Sequence, residues 1–579
     1  MSDKESIARE KRKKIKNPEV QLAVDAKVEE YEMKLRRELD MTKPNAYRQV
    51  AERTKSFKER ILENELDDIR KDVNEIRKEE KSLLGITFWV SLAVTVVVII
   101  LALIAGEELG TVADNISRFI SHNLSWFYVL LASVFLIFLF YLAFSRFGNV
   151  VLGPPDERPD FSDFSWYSML FSAGMGVGIL FWGTAEPMSH FLNPPNAVPG
   201  SVEAARGATA FASFHWGLHA WGVYTICALG TAYYGFRKRK KYLISSSIVD
   251  FTQNKSTRKI LKAVVDLIAI LAVIFGVSSS LGLGVLQISG GINHVFGWEV
   301  QNLAGYSIIM AVITAVFIIS SSTGLDKGIK ILSNANMLTA IALLMFVFFT
   351  GDWLFDLKVF VDSIGLYLQH LPEYSFKVDP YRPQYETWMG DWTLSYFTWW
   401  IAWSPFVGIF IARISKGRTV KELIMGCLLV PAIFSIFWFS VFGGSAIEIE
   451  MFSDVSIGEE ILANVDLGTF LLFEQLPLSG VTSVVALVLL FTFLVTSADS
   501  ATFVISMMTS EGDLDPKLKL KVIWGFVLAA LSLLLLAGGG IKALQAATLI
   551  FAFPFALVLI LIARSLYFRL SIQKKGKRE

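Results

Sequence analysis

The feature that most constrains this chain is a succession of apolar runs, each long enough to cross a bilayer as a helix. A crossing helix needs about 20 apolar residues to cover about 30 Å of hydrocarbon. Runs of that order recur near 84–105, 126–144, 165–187, 207–235, 259–290, 302–322 and 331–350. Five more lie near 391–413, 420–445, 479–508, 520–537 and 541–568. Inside lipid a backbone must satisfy its own polar groups, so such runs fold as helices. The expectation is an all-α polytopic membrane protein with twelve transmembrane helices. Composition agrees: 53% of the 579 residues are hydrophobic, 18% are charged, and the formal net charge is +1. A soluble chain carries about 25% charged residues. Near-neutrality leaves no electrostatic footprint for nucleic acid.

The charges are unevenly placed, with 42 of the 107 Lys, Arg, Asp and Glu preceding Leu83. Residues 1–82 therefore form a charged, helical, cytoplasmic extension, 83–568 the membrane domain, and 569–579 a short basic tail. Within the extension Leu62, Leu66, Ile69, Val73 and Ile76 keep a 4-3-4-3 spacing over about two heptads. That stripe suits either a solvated helix docked on its own protein or a short oligomerisation or regulatory coil. The charged first thirty residues do not resemble a cleavable signal, so the segment from Leu84 is expected to serve as signal and anchor. Basic clusters at Arg237–Lys241 with Lys255–Lys259, Lys327–Lys330, Arg413–Lys421, Lys517–Lys521 and Lys574–Arg578 alternate with acidic or neutral loops. The positive-inside rule then puts both termini in the cytoplasm. Cys227 and Cys427 sit in apolar runs and read as small buried hydrophobes rather than a disulfide or metal pair.

Three motifs carry chemistry. Membrane helices normally keep tryptophan at the interfaces, yet Trp399, Trp400 and Trp403 fall mid-span in GDWTLSYFTWWIAWSPFVGIF. A second segment, FHWGLHAWGVY, holds Trp216, Trp221 and Tyr224; at about 100° per residue they share one broad face of a helix. Facing aromatic walls suit a cation without hydrogen-bond donors, each ring contributing about 0.5–1 kcal/mol when exposed and about 2 when desolvated. The second motif, GMGVGILFW, sets Gly174, Gly176 and Gly178 inside an apolar span. Glycine at that density predicts an unwound helix or a close approach by a neighbour. Ser404-Pro405 and Gly408 mark a second interrupted helix. The two open segments three and eight, each followed by four more, the layout of two inverted five-helix repeats with a site between them.

The third motif, VTSADS, ends a long apolar helix with Thr496 and Ser497, Asp499 lying just beyond. The adjacent hydroxyls suit Na⁺, or equally an ordinary back-bond to the preceding turn. Asp499, Asp266 and Glu186 are ionisable groups near span ends, where a functional or an interfacial structural role is open. His215 and His219 stand at i and i+4, but no third ligand completes a metal motif.

Six stretches, GMGVGILFWGTAEPM, FHWGLHAWGVY, SLGLGVLQ, LSNANM, WTLSYFTWWIAWSPFVGIFIARISKGR and TSADS, resemble the betaine/choline/carnitine transporter family over about Leu83–Phe568. The resemblance implies a LeuT-type core of ten helices after two peripheral ones, often as a homotrimer, in a bacterial inner membrane. It implies that Trp216, Trp221, Tyr224 and Trp400 form an aromatic box with Ser280 nearby, and that Trp399 and Trp403 belong to an inward-leading cage. The glycine-rich stretch, Gly174, Met175, Gly176 and Gly178, would border the substrate. One sodium site would use the backbone of Ser172 and Met175 with Phe493, Thr496 and Ser497. A second family site uses two threonines where this chain has Val273 and Val277; valine cannot ligate a hard cation, although Phe406 beside that site is kept. Gly178 stands where choline-selective members tend to carry Asp, which favours a zwitterion bringing its own carboxylate. The stretch after Phe568 is shorter than the long basic C-terminal helix of some members.

The resemblance and the residues together point to uptake of a quaternary-ammonium osmolyte, glycine betaine foremost, by Na⁺ symport, with no cofactor and no enzymatic activity. A neutral zwitterion gains nothing from membrane potential alone, so its accumulation needs a coupled cation. Choline or carnitine transport driven by H⁺, potential or exchange is the alternative. A more distant one is a sensor that binds without transporting.

Overall fold

A computed structural model describes residues 28, 30–39, 45–58, 85–105, 108–248, 254–323 and 330–572. The chain divides into two units, Met1–Leu83 and Leu84–Glu579. In the first, residues 30–38 and 46–58 are helical. Tyr31 stacks on Phe57 at 3.9 Å over buried Leu35, Ala46 and Val50. The heptad stripe from Leu62 to Ile76 and the basic tail beyond Ile572 lie outside the described residues.

The second unit is helical. Its long helices are α1 (Ile86–Ala105), α2 (Leu109–Phe144), α3 (Asp163–Gly174), α4 (Gly176–Leu192), α5 (Val202–Trp216) and α6 (Leu218–Ala232). They continue as α7 (Lys255–Phe296), α8 (Leu303–Thr323), α9 (Lys330–Thr350) and α10 (Trp353–Phe376). The last four are α11 (Ser395–Ile414), α12 (Val420–Phe452), α13 (Ser479–Thr509) and α14 (Leu518–Ile572). Among the described residues nine helices are long and apolar enough to cross a membrane, ten when the bent pair α3–α4 counts as one span. The sole strand-like pairing there is a bridge between Val151 and Thr419.

Three chain breaks shape the interior, and two lie where the sequence places them. The glycine-rich stretch does interrupt its helix: α3 ends at Gly174, Met175 takes φ −136° and ψ −25°, and α4 leaves at 66°. Both explanations for the glycines hold there. A Cβ on Gly174 would stand 2.8 Å from Trp221, on Gly176 2.8 Å from Phe493, and on Gly178 2.6 Å from Trp216.

The second break was not foreseen. FHWGLHAWGVY is not one helix, because Gly217 (φ −93°, ψ −136°) separates α5 from α6. The Leu218 N–H, left without a helical partner, donates to the Tyr367 hydroxyl at 3.0 Å. Trp216 therefore does not share a helical face with Trp221 and Tyr224. The third break, Gly540 (φ 58°, ψ −145°), divides α14 into the two segments expected there.

The interruption expected at Ser404-Pro405 is absent. α11 runs through it, and the irregular part is a π turn at Gly390–Leu394. Gly408 serves a different purpose: a Cβ there would stand 2.5 Å from the Cys227 Cβ, so it lets α11 lie against α6. Cys227 and Cys427 are buried and unbonded to each other. The long loop expected after Gly351 contains α10, which turns Asp356, Ser363 and Tyr367 inward while exposing Val361 and Leu368.

Candidate functional site

The break between α3 and α4 lies at the wall of a small cavity of about 20 Å³. Its lining includes Gly174, Met175, Gly178, Trp216, Trp399, Trp400, Trp403, Ser280 and Ser497. By this measure about 10–15 Å³ holds a single water, so the rings must part before a molecule the size of an amino acid enters. Each ring is tied by its indole N–H. Trp399 donates to Ser280 Oγ at 3.0 Å, Trp400 to the His215 carbonyl at 3.0 Å, Trp403 to the Gly276 carbonyl at 2.9 Å, and Trp216 to Glu186 at 2.7 Å. Trp399 and Trp400 stack with centroids 5.0 Å apart, and Trp216 meets Trp400 edge-on at 5.0 Å. Their faces and edges, rather than their polar atoms, line the space.

Trp221 and Tyr224 stand one layer behind. The Tyr224 hydroxyl donates to the Gly174 carbonyl at 3.4 Å and its ring abuts Trp400 at 5.9 Å, while Trp221 packs on Gly174. Gly176 packs on Phe493 and does not face the cavity. Trp182, Phe181, Leu283 and Leu494 complete the walls. None had been singled out, because apolar residues in a span carry no mark of which way they face. Val277, one of the two valines in place of threonine, lines the cavity itself. Phe406 meets Trp403 edge-on at 5.5 Å.

Beside the cavity, the residues expected around sodium converge. Ser172 Oγ and Thr496 Oγ1 lie 3.4 Å apart, Phe493 packs on Gly176 next to Met175, and Ser497 borders the cavity. Thr496 also makes the ordinary back-bond, donating to the Phe493 carbonyl at 2.9 Å. Asn336, from the LSNANM stretch of α9, donates to Thr496 Oγ1 at 3.4 Å and was not anticipated. Asp499 is not beyond the helix but buried within α13, accepting hydrogen bonds from Ser320 at 2.6 Å and from Ser321. Asp266 accepts from the backbone and hydroxyl of Ser245 and has a structural role.

The two histidines diverge. His219 faces Ser375 at 3.1 Å, whereas His215 Nδ1 donates to Glu186 Oε1 at 2.7 Å. Glu186 also accepts from His190 at 3.3 Å, making a buried triad of possible metal ligands. Both oxygens of Glu186 and both ring nitrogens of His215 are already occupied by hydrogen bonds within the protein. Glu186 is thus fully buried inside the protein.

On the far side of Trp182, Leu283 and Trp399 lies a larger cavity of about 710 Å³, lined also by Tyr396, Asp391 and Lys542. Two tryptophans and one leucine, lining both spaces, separate a wide vestibule from the narrow cavity. The arrangement can admit a small solute to a desolvated aromatic pocket beside a cluster of hard oxygens.

Comparison with known proteins extends this picture. Residues 86–575 match the sequence pattern of the betaine/carnitine/choline family transporters. The glycine betaine transporter OpuD of Bacillus subtilis is 42% identical over 490 residues, covering 84% of this chain and 94% of that one. An ectoine/hydroxyectoine transporter of Virgibacillus pantothenticus is 41% identical over 499 residues, 85% of this chain and 97% of its own. A probable glycine betaine transporter of Desulfitobacterium hafniense is 38% identical over 481 residues, covering 83% and 96%.

Proposed function

Because the chain belongs to the betaine/carnitine/choline family of transporters, whose members are not enzymes, we propose that it takes up glycine betaine by symport with one Na⁺. The observation that carries this is the juxtaposition of a tryptophan-walled cavity with a hydroxyl cluster that shares its wall at Ser497. A trimethylammonium group against three or four desolvated rings, each contributing about 2 kcal/mol, reaches about micromolar affinity without a carboxylate. Gly178 supports a zwitterion: a longer acidic side chain there would have to displace Trp216, which already lies 2.6 Å from the Cβ position.

We assign the coupling ion to the carbonyls of Ser172 and Met175 with Phe493, Thr496 and Ser497. The hydroxyls of Thr496 and Ser497 are hard ligands of the kind Na⁺ prefers. Val273 and Val277 provide none, so one ion per cycle fits the residues present. Each such cycle moves one net charge, worth about 2.3 kcal/mol per 100 mV.

The architecture that fits is twelve crossings around a core of two inverted repeats, with both termini cytoplasmic. Nine candidate spans and the bent pair make ten. The 55 residues of α14 measure about 80 Å as a helix, far beyond one bilayer, and turn at Gly540 into two. The α5–α6 pair, broken at Gly217, supplies the twelfth. With this orientation the large vestibule faces outside, as an uptake route needs. A homotrimer in the bacterial inner membrane remains the assembly implied by resemblance.

Uptake into proteoliposomes of radiolabelled glycine betaine, ectoine, choline and carnitine, with and without Na⁺, tests the proposal. Sodium-dependent betaine accumulation that is abolished in Thr496→Ala, with binding to the aromatic cavity retained, is the expected result. Betaine uptake indifferent to Na⁺, or choline as the sole substrate, would overturn it. An ectoine preference is the second outcome to examine, since a relative of similar identity is named for that substrate.

A further inference from the structure

Glu186 receives four hydrogen bonds in a site where no water-exposed surface reaches it. Its Oε1 accepts from His215 Nδ1 at 2.7 Å and His190 Nε2 at 3.3 Å. Its Oε2 accepts from the Trp216 indole at 2.7 Å and the Tyr396 hydroxyl at 2.6 Å. Neither oxygen lines the substrate cavity, so the carboxylate does not touch substrate. The two partners of Oε2 do separate jobs. Trp216 is a wall of the cavity. Tyr396 lines the vestibule and stacks on Trp399 at 6.1 Å and Trp400 at 5.8 Å, within the aromatic partition between the two spaces.

One oxygen on α4 therefore holds a cavity wall from the end of α5 and a partition residue from α11. Ring packing alone leaves an aromatic side chain able to slide and rotate in its plane; a charge-assisted hydrogen bond fixes its direction. Four donors converging on one buried carboxylate also explain why a costly buried charge is tolerated here. His215 extends the tie, its Nε2 accepting from Thr393 at 2.9 Å in the π turn that leads into α11.

We propose that Glu186 is a positioning residue: through Trp216 and Tyr396 it sets the shape of the substrate cavity and keeps the partition to the vestibule closed. The proposal rests on the transport reading above for its kinetic test. The hydrogen-bond pattern makes a specific prediction for Glu186→Gln. The amide oxygen can accept from Trp216 and Tyr396, and the amide N–H groups can donate to His215 and His190 once each ring shifts its proton to the other nitrogen. Glu186→Gln therefore keeps the geometry, whereas Glu186→Ala removes it. Tyr396→Phe cuts one arm and leaves three donors on the carboxylate.

Two measurements test this. In glycine betaine uptake, Tyr396→Phe and Glu186→Ala are expected to raise KM about tenfold with a smaller change in Vmax, and Glu186→Gln to stay within about threefold of the parent. The double variant Glu186→Ala/Tyr396→Phe should be no worse than Glu186→Ala alone. The second measurement needs no substrate. With Cys227 and Cys427 replaced by Ser, Ser280→Cys is labelled from the vestibule side by a thiosulfonate reagent. Tyr396→Phe and Glu186→Ala should speed labelling severalfold; Glu186→Gln should not. Equal damage from Glu186→Gln and Glu186→Ala, multiplying effects in the double variant, or unchanged KM and labelling in Tyr396→Phe would overturn the proposal. Should Glu186→Ala fail to fold, Tyr396→Phe and Glu186→Gln still decide it. Loss of betaine uptake in the unsubstituted protein would instead sink the substrate reading and leave the labelling result standing.

Discussion

At the residue scale the cavity is an assembly of ring faces whose polar edges are turned away and satisfied. Trp400 shows the design: its N–H is engaged by the His215 carbonyl, so what it presents inward is the π system. Replacing Trp400 with Ala should cost about 2 kcal/mol of substrate binding, a rise in KM of about thirtyfold, with Trp400→Phe intermediate. Equilibrium binding followed by intrinsic fluorescence would check it, and an unchanged affinity would remove Trp400 from the site. Gly178→Ala makes the complementary case. The new methyl would stand 2.6 Å from Trp216, so the ring must shift, and betaine uptake should fall about tenfold or more while the protein still folds. The tryptophans were legible in the sequence because rings that deep in a membrane are improbable unless used. Glu186 stood out only as an ionisable group near a span end, and Tyr396 not at all. Their partnership depends on the relative rotation of α4, α5 and α11, which residue spacing does not encode.

At the element scale the same contrast holds. The glycine-rich break between α3 and α4 was visible because three alternating glycines have no helical rationale. The break at Gly217 was hidden, since a single glycine in a run that otherwise reads as helix costs only about 1 kcal/mol and usually passes unnoticed. Pro405 misled in the opposite direction: its missing N–H suggested an interruption, yet α11 accommodates it without leaving helical geometry. The amphipathic α10, invisible to a ruler for spans, docks on α12 where Asp356 accepts from Ser445 Oγ at 3.1 Å. Burial raises the Asp356 pKa to about 8, with Glu448 and Asp352 adding to the rise and the Ser445 hydroxyl opposing it. An unfolded aspartate titrates near pH 3.9. From about pH 4 to pH 8 the unfolded chain releases this proton while the folded chain keeps it, so stability falls as pH rises through that window. Asp356→Asn should remove this dependence, giving a melting temperature that declines less between pH 5 and pH 8 than the parent's. Parallel melting curves for the two proteins across that range would show that Asp356 is not the responsible group.

At the scale of the whole molecule, the geometry and the missing hydroxyls bear on how much work each transport cycle can do. A family site built for two sodium ions would let a neutral substrate be driven by two charges. Here Val277 lines the cavity as an apolar wall, while Ser172 and Thr496 bring hydroxyls together near the chain break. The consequence is measurable without any mutation. For n sodium ions per zwitterion, the reversal potential shifts by about 59 mV divided by n for each tenfold change in the betaine gradient. One-to-one coupling therefore predicts about 59 mV per decade of betaine, against about 30 mV for two ions. A tenfold Na⁺ gradient shifts the potential by about 59 mV in either case, which provides an internal control on sodium coupling itself. Recording both slopes from proteoliposomes clamped with ionophores separates the alternatives. A betaine slope near 30 mV would mean that a second ion binds without the two threonines, and Val273 and Val277 would then have to be read as packing. A slope near 59 mV would tie the lower driving force to those two side chains. Val277→Thr with Val273→Thr should then restore hard-oxygen ligands and move the slope toward the smaller value.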